Sequence, residues 1–230
     1  MKTLKKVLVL ATGLSIGLCN LAHAGGASAE NFFDGVYGQV ELGFGSITNP
    51  LQVSSGGYSQ TIPFGYTAPQ YAATLGYSKQ IVDLEGVHDL NLAANISYNA
   101  TNGNSGSILF SGGGYTDYLT MNTKNIWLLS LEPGYYLAEQ AIVYAKIGYG
   151  QAQTSITSSY GYTSNFGTQS GPLFGFGFKH ALDAVHSNVY WGLEAYQLNL
   201  RAKTMTDQYG EVLTSKPSIL FAKVHLGYVF

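Results

Sequence analysis

The chain has 230 residues, of which 46% are hydrophobic, 13% aromatic and 10% charged, against about 25% charged residues in an average soluble domain. So much aromatic content with so little charge excludes a disordered chain, and a formal charge of -2 excludes a basic chain built for nucleic acid. Beyond residue 22 no apolar run approaches the roughly 18 residues that a membrane-spanning helix needs, which excludes a helical membrane bundle.

In chain order, the first expected element is a secretory signal peptide over residues 1–24. Lys2, Lys5 and Lys6 form a positive head, Val7 to Leu18 is largely apolar, and Ala22-His23-Ala24 places small residues where a signal peptidase reads them. Cleavage after Ala24 leaves eight basic against thirteen acidic residues and removes Cys19, the one cysteine. An exported chain without disulfides needs another source of stability. Residues 25–230 are expected to form a single β-barrel domain.

The mature chain alternates with a period of two, the mark of strands with one apolar and one polar face. Val36, Val40, Leu42 and Phe44 alternate with Tyr37, Gln39, Glu41 and Gly43. The pattern returns around Tyr71–Ser78, Leu90–Asn99, Trp127–Glu132, Val143–Gly150, Phe174–Lys179, Trp191–Tyr196 and Leu220–Phe230. These make eight strands of roughly ten residues, the length of a tilted strand that crosses a bilayer. The intervening segments alternate between long (47–69, 100–122, 152–168, 201–216) and short (82–88, 137–140, 182–187). Long segments on one side and short turns on the other predict an all-β, eight-stranded antiparallel up-and-down transmembrane β-barrel with four long outer loops and three short periplasmic turns.

The large apolar residues are expected to face lipid, and the Gly, Ser, Asn, Glu and Lys residues a narrow polar lumen. Inward Gly43, Gly76, Gly148, Gly175, Gly177, Gly192 and Gly227 are expected to leave room for water. Aromatic residues near both strand ends, among them Phe32, Phe33, Tyr77, Tyr135, Tyr136, Tyr71, Tyr98 and Tyr149, predict two interfacial girdles.

With these residues in place, the mature chain resembles the small outer-membrane β-barrel proteins, namely the opacity-type porin-like proteins and the transmembrane domain of outer-membrane protein A. The closing stretch Lys223-Val224-His225-Leu226-Gly227-Tyr228-Val229-Phe230 is similar to the signal read by the barrel assembly machinery, with Leu226, Tyr228 and Phe230 as its alternating residues. Leu131-Glu132-Pro133-Gly134-Tyr135-Tyr136, followed by Val143 to Tyr149, resembles a central hairpin of the same group. The resemblance implies residence in the outer membrane of a Gram-negative bacterium, in contact with outer-membrane lipid and lipopolysaccharide.

Alternation turns Glu41, Glu132, Glu194, Lys146, Lys179 and Lys223 inward as an interior charge network. A hairpin centred near Glu139 predicts Glu132 opposite Lys146, and the closing strand predicts Lys223 near Glu41 and Glu194. Unpaired burial of any of these would be costly. His88, His180 and His186 fall at or near short turns and His225 in the lumen. Without an HxH or HxxxH pair or a surviving Cys, neither a metal site nor a cofactor is expected.

A lipid-modifying enzyme would need a base near the outer surface, and no His falls in the long segments, so no catalytic residue is expected. Segments 47–69 and 152–168 contain no charged residue. Their Tyr/Ser/Gly composition is that of adaptable binding loops. Tyr58, Tyr115, Tyr160 and Tyr162 are the contact residues expected if the protein is an adhesin for a host protein or glycan. A narrow, low-conductance channel is the alternative.

Overall fold

The computed structural model describes residues 32–81, 90–100, 104–112, 115–182, 188–207 and 210–230. The expectations for the signal peptide, Cys19, His88 and His186 lie outside them. Among the described residues, eleven strands form one antiparallel sheet: β1 (Gly35–Ser55), β2 (Tyr58–Ile81), β3 (Leu90–Ala100), β4 (Asn104–Gly112), β5 (Tyr115–Ala138), β6 (Ala141–Ser158), β7 (Thr163–Ala181), β8 (Val189–Asn199), β9 (Lys203–Thr206), β10 (Val212–Ser215) and β11 (Ser218–Val229). Eight of them close a ring in the order β1-β2-β3-β5-β6-β7-β8-β11, and β11 pairs back onto β1 from Tyr37↔Val229 to Thr48↔Ser218.

Among the described residues, much of the outer segments continues as paired strand. β1 and β2 run 21 and 24 residues and stay paired to Ser55↔Tyr58. The turn between them is two residues, Gly56 (φ 55) and Gly57 (φ 86). Positive φ at both central positions is the tight turn whose twist matches the strands it joins. β5, β6 and β7 run 24, 18 and 19 residues. Beyond Phe44, β1 alone continues for a distance on the order of 25 Å, given about 3.3 Å per residue and a tilt near 40°.

The hydrophobic phase explains why this wall stands. Val36, Val40, Leu42 and Phe44 face outward and are exposed, whereas Ile47 and Leu51 face inward and are buried. On β2, Tyr71, Leu75 and Tyr77 face out, whereas Ile62, Phe64 and Ala68 are buried. The apolar residues thus change faces along one continuous strand. Where they point out, the surroundings are apolar; where they point in, the outside carries Ser46, Thr48, Gln52 and Thr67 and suits water.

In the wall the ring becomes two four-stranded sheets, β9-β10-β1-β2 and β4-β5-β6-β7. Among the described residues no ladder joins β2 to β4 or β7 to β9. Leu51, Ile62, Phe64, Met121, Ile156, Phe166 and Leu213 fill the space between the sheets, and Val53, Ile108, Leu119 and Met205 pack against them. The arrangement is a small sandwich on top of a barrel.

Candidate functional site

The interior has three layers, a correction to the polar lumen expected throughout. The lowest is aromatic and apolar: Phe33, Tyr37, Ala93, Ile142, Tyr144, Ala181, Tyr190 and Val229. Phe33 was expected in a girdle, but it turns into the barrel mouth at 3% exposure and packs its ring 5.7 Å from Tyr190 and 6.2 Å from Tyr136. Above the charged middle belt, Ile47, Ile126, Leu128, Ala152, Leu173, Tyr196, Leu198, Leu200, Ile219 and Phe221 form a second apolar layer.

The inward glycines do not leave water-filled space. A Cβ on Gly76 would lie 2.4 Å from the Tyr37 ring, one on Gly177 2.2 Å from Tyr144, and one on Gly227 2.2 Å from Tyr190. On Gly175 it would meet Tyr196, and on Gly192 the His225 ring. Gly43 and Gly148 face neighbouring backbone just as closely. Gly76, Gly177, Gly192 and Gly227 are recesses filled by a neighbouring ring, an arrangement also used to rescue glycine in designed sheets. A cavity of about 10 Å³ remains, bordered by Phe33, Tyr37, Glu132, Tyr144, Lys179 and Tyr190, near the smallest volume that holds one water.

The six interior charges all lie in the middle belt and are buried. Lys146 Nζ donates to Glu194 Oε2 at 2.7 Å and stands 3.4 Å from Glu132 Oε1. Lys179 Nζ donates to Glu132 Oε2 at 2.7 Å. Glu132 and Lys146 thus stand opposite each other and pair, as the hairpin predicts, but each has a closer partner, Lys179 for Glu132 and Glu194 for Lys146. Lys223 Nζ donates to Glu41 Oε2 at 2.8 Å and also to Asn99. Glu194 lies opposite Lys223 in register, but the ion pair it forms is with Lys146.

Neutral groups complete the belt. Gln39 Nε2 and the Thr74 hydroxyl donate to Glu41, Tyr144 Oη donates to Glu194 Oε2 at 3.3 Å, and Tyr190 Oη donates to Gln39 Oε1 at 2.9 Å. Tyr37 and Tyr144 each place a ring centroid 4.7 Å from Lys179 Nζ, a cation–π cage around the ammonium. His225 is buried with its ring 6.0 Å from Tyr190. Among the described residues no three His, Cys, Asp or Glu side chains converge as a metal site would require. The belt ties the barrel strands together from inside, and apolar layers lie above and below it.

The outer surface is the other site. Tyr58 stands at the β1–β2 tip, 85% exposed, and Tyr160 and Tyr162 stand exposed around the β6–β7 turn. Tyr115 opens β5, with its side chain outside the described residues. The tyrosines thus occupy separate hairpin tips. The β5–β6 junction is fixed by Asp117, which accepts from the Ser158 hydroxyl at 2.6 Å and from Ser159 N and Oγ at 2.9 and 2.7 Å. Those hydroxyls, Ser158 first, hold the Asp117 carboxyl below the usual aspartate range. Leu226, Tyr228 and Phe230 line the outward face of β11, and Phe230 N donates to Val36 O at 2.8 Å across the closing seam.

Sequence reasoning missed the inward tyrosine Tyr190, the Phe33 plug and the apolar wall core. The last had a visible signal, since Ile47, Leu51 and Val53 continue the alternation of β1 on the opposite parity.

No protein-family model and no curated protein matches the chain. Solved structures do. The outer membrane protein OprG from Pseudomonas aeruginosa superposes at TM-score 0.50 and 11% identity, over 86% of this chain and 97% of that one. The outer membrane protease OmpT from Escherichia coli gives 0.47 and 11%, over 90% and 99%. Ail, the attachment invasion locus protein of Yersinia pestis, gives 0.46 and 12%, over 86% and 99%. At such identities the likeness is one of fold. The chain has the fold of the small outer-membrane β-barrel proteins, and its outward apolar band is the surface such a barrel turns to lipid.

Proposed function

We propose that the protein is an integral barrel of the bacterial outer membrane, exported by residues 1–24, whose sandwich-like outer wall is an adhesin surface. The observation that carries this reading is the closed interior: two apolar layers and a paired charge belt stand in line where a channel would need a path. Material is invested instead in a wall that projects outward and keeps its own core. Its β1–β2 and β6–β7 tips present exposed Tyr side chains, with Asp117 as the charge held beside the second tip, and Tyr supplies contact area at low rotamer cost. Catalysis is disfavoured because the wall strands contain no His in their sequence and, among the described residues, neither His180 nor His225 lies in the wall, so no imidazole base is described beside a wall hydroxyl.

The test is attachment of cells displaying the protein to host or environmental surfaces. Replacing Tyr58, Tyr160 and Tyr162 by Ser is expected to lower attachment at least tenfold while heat-modifiable barrel stays at its normal level. Adding salt should matter little, since the tips carry few charges. Undiminished attachment by the triple variant would sink the adhesin reading.

A further inference from the structure

Lys223, Glu41 and Asn99 meet inside the barrel from three different strands, β11, β1 and β3, and all three are buried. Lys223 Nζ donates to Glu41 Oε2 at 2.8 Å and to the side-chain carbonyl oxygen of Asn99. The register explains the meeting. Glu41 pairs with Ala72 and Ala72 with Asn99, so one methyl side chain stands between the carboxylate and the carboxamide in their row. Lys223 pairs with Gly43, where a Cβ would lie 2.9 Å from Lys223 Cγ, so the glycine leaves the space that the lysine stem occupies. Lys146 and Lys179 donate to carboxylates, whereas Lys223 touches a carboxylate and a carboxamide together.

The carboxamide is placed to react. Its Oδ1 accepts from the Tyr196 hydroxyl at 3.2 Å as well as from Lys223. Two donors on a carbonyl oxygen draw density from the carbon and stabilise an oxyanion formed there. Its Nδ2 is buried and, among the described residues, has no hydrogen-bond partner, so nothing retains it as a leaving group. The Phe221 and Tyr196 rings lie 5.0 and 5.2 Å from Lys223 Nζ and belong to the apolar layer above, which keeps water from the amine.

We propose that Lys223 and Asn99 join in an intramolecular amide crosslink, with Glu41 as the proton carrier. The proton moves from the Lys223 ammonium to the Glu41 carboxylate and leaves a neutral amine. Nζ attacks Asn99 Cγ, and the Nζ–Cγ bond forms as the carbonyl electron pair moves onto Oδ1 beside Tyr196. A proton of the attacking nitrogen passes through the Glu41 carboxyl to Nδ2, the Cγ–Nδ2 bond breaks, and ammonia leaves. An ammonium, a carboxylate and a carboxamide become a secondary amide, a neutral carboxylic acid and ammonia, so atoms and charge balance without an oxidant or other reactant. The reaction removes a buried ion pair, which is costly to desolvate, and holding amine and amide in contact supplies the proximity that the attack needs. The four charges left in the belt, Lys146, Lys179, Glu132 and Glu194, still balance. The crosslink ties β11 to β3 across the lumen. For residues 25–230, which contain no cysteine, it does what a long-range disulfide does elsewhere and restricts the unfolded chain.

The test is mass spectrometry of the full mature barrel purified from cells. A mass lower by one ammonia than the sequence requires is expected, together with a branched peptide in the digest that joins the Asn99 and Lys223 segments. The branched peptide should fall at least tenfold in Glu41→Gln, where no carboxylate takes the proton, and be absent from Lys223→Arg. Separate linear peptides in the wild type overturn the crosslink, and that result requires no variant to fold. Loss of ammonia without the branched peptide assigns the loss to cyclisation of Asn99 on its own backbone and overturns the crosslink equally. An undiminished branched peptide in folded Glu41→Gln overturns Glu41 as the proton carrier.

Discussion

Lys146 bridges two carboxylates on different strands, and its removal has unequal effects on them. Glu132 keeps Lys179 at 2.7 Å, whereas Glu194 keeps the Tyr144 hydroxyl at 3.3 Å as its hydrogen-bond donor and Lys223 across the ladder, which is already paired with Glu41. Lys146→Met is expected to destabilise the barrel by about 3–5 kcal/mol, the usual cost of leaving one buried charge alone. Adding Glu194→Gln should recover more of the loss than adding Glu132→Gln, as read from denaturant midpoints of barrel in vesicles. Equal recovery would contradict the assignment of Glu194 as the primary partner.

Asp117 gives a residue-scale effect of pH. Its folded pKa is lowered, so the stabilisation it gives the β5–β6 junction is complete above the ordinary aspartate pKa of about 3.9 and is lost as pH falls through the lower folded value. A carboxyl-carbon titration by NMR should find its midpoint below that ordinary value, and Ser158→Ala with Ser159→Ala should move it upward. At this scale the sequence was partly legible. Alternation alone turned all six charges inward and register put Lys223 beside Glu41 and Lys146 beside Glu132, but the two shortest pairs depend on side chains reaching past an intervening strand, as Lys179 on β7 does to Glu132 on β5. No hairpin register can express that reach.

At the scale of elements, the lipid-facing halves of the eight ring strands were legible because their apolar and small or polar residues alternate without interruption. Their outer halves were not. Ser, Thr and Gly over 47–69 gave a loop composition that hid Ile47, Leu51, Ile62 and Phe64. Gly56-Gly57 is a two-residue hairpin turn and marks the tip of the longest pair. Phe33 was misplaced for a different reason: it precedes the first strand, and alternation says nothing of a residue outside a strand. The closing element, β11, yields a prediction of its own. Deleting Phe230 removes its bond to Val36 O and its ring contact, centroid to centroid 5.2 Å, with Tyr228. Less heat-modifiable barrel in the outer-membrane fraction is the expected result. An undiminished amount would show that the terminal aromatic is dispensable for assembly.

The whole molecule is a barrel closed at several heights. Removing one layer should therefore not open it. Phe33→Ala empties the lowest layer at its centre but leaves the charge belt and the Ile47–Leu128–Leu198 layer intact. In planar bilayers the wild type and this variant are both expected to show no stable conductance steps. Steps that appear in Phe33→Ala alone would mean that the upper layers are permeable and that the phenyl ring is the sole stopper, which would favour a channel. The wall also differs from a set of free loops in its readiness to bind. Its backbone is already ordered in ladders, so a partner meets a fixed shape and contact carries little of the ordering cost that a mobile segment would impose.

The exchange of faces between Phe44 and Ile47 has a consequence for how this wall can change length over generations. Two successive residues of a strand point to opposite sides, so gaining or losing a single residue above the boundary would turn Leu51 or Phe64 out to water and bring a serine or threonine into the core. A pair of residues added to each arm of the β1–β2 hairpin, next to Gly56-Gly57, preserves every orientation below it. Length variation among natural variants of this protein should therefore come in even steps per strand and gather at the turns, and foreign epitopes should be tolerated at Gly56-Gly57 when their flanking arms obey the same parity.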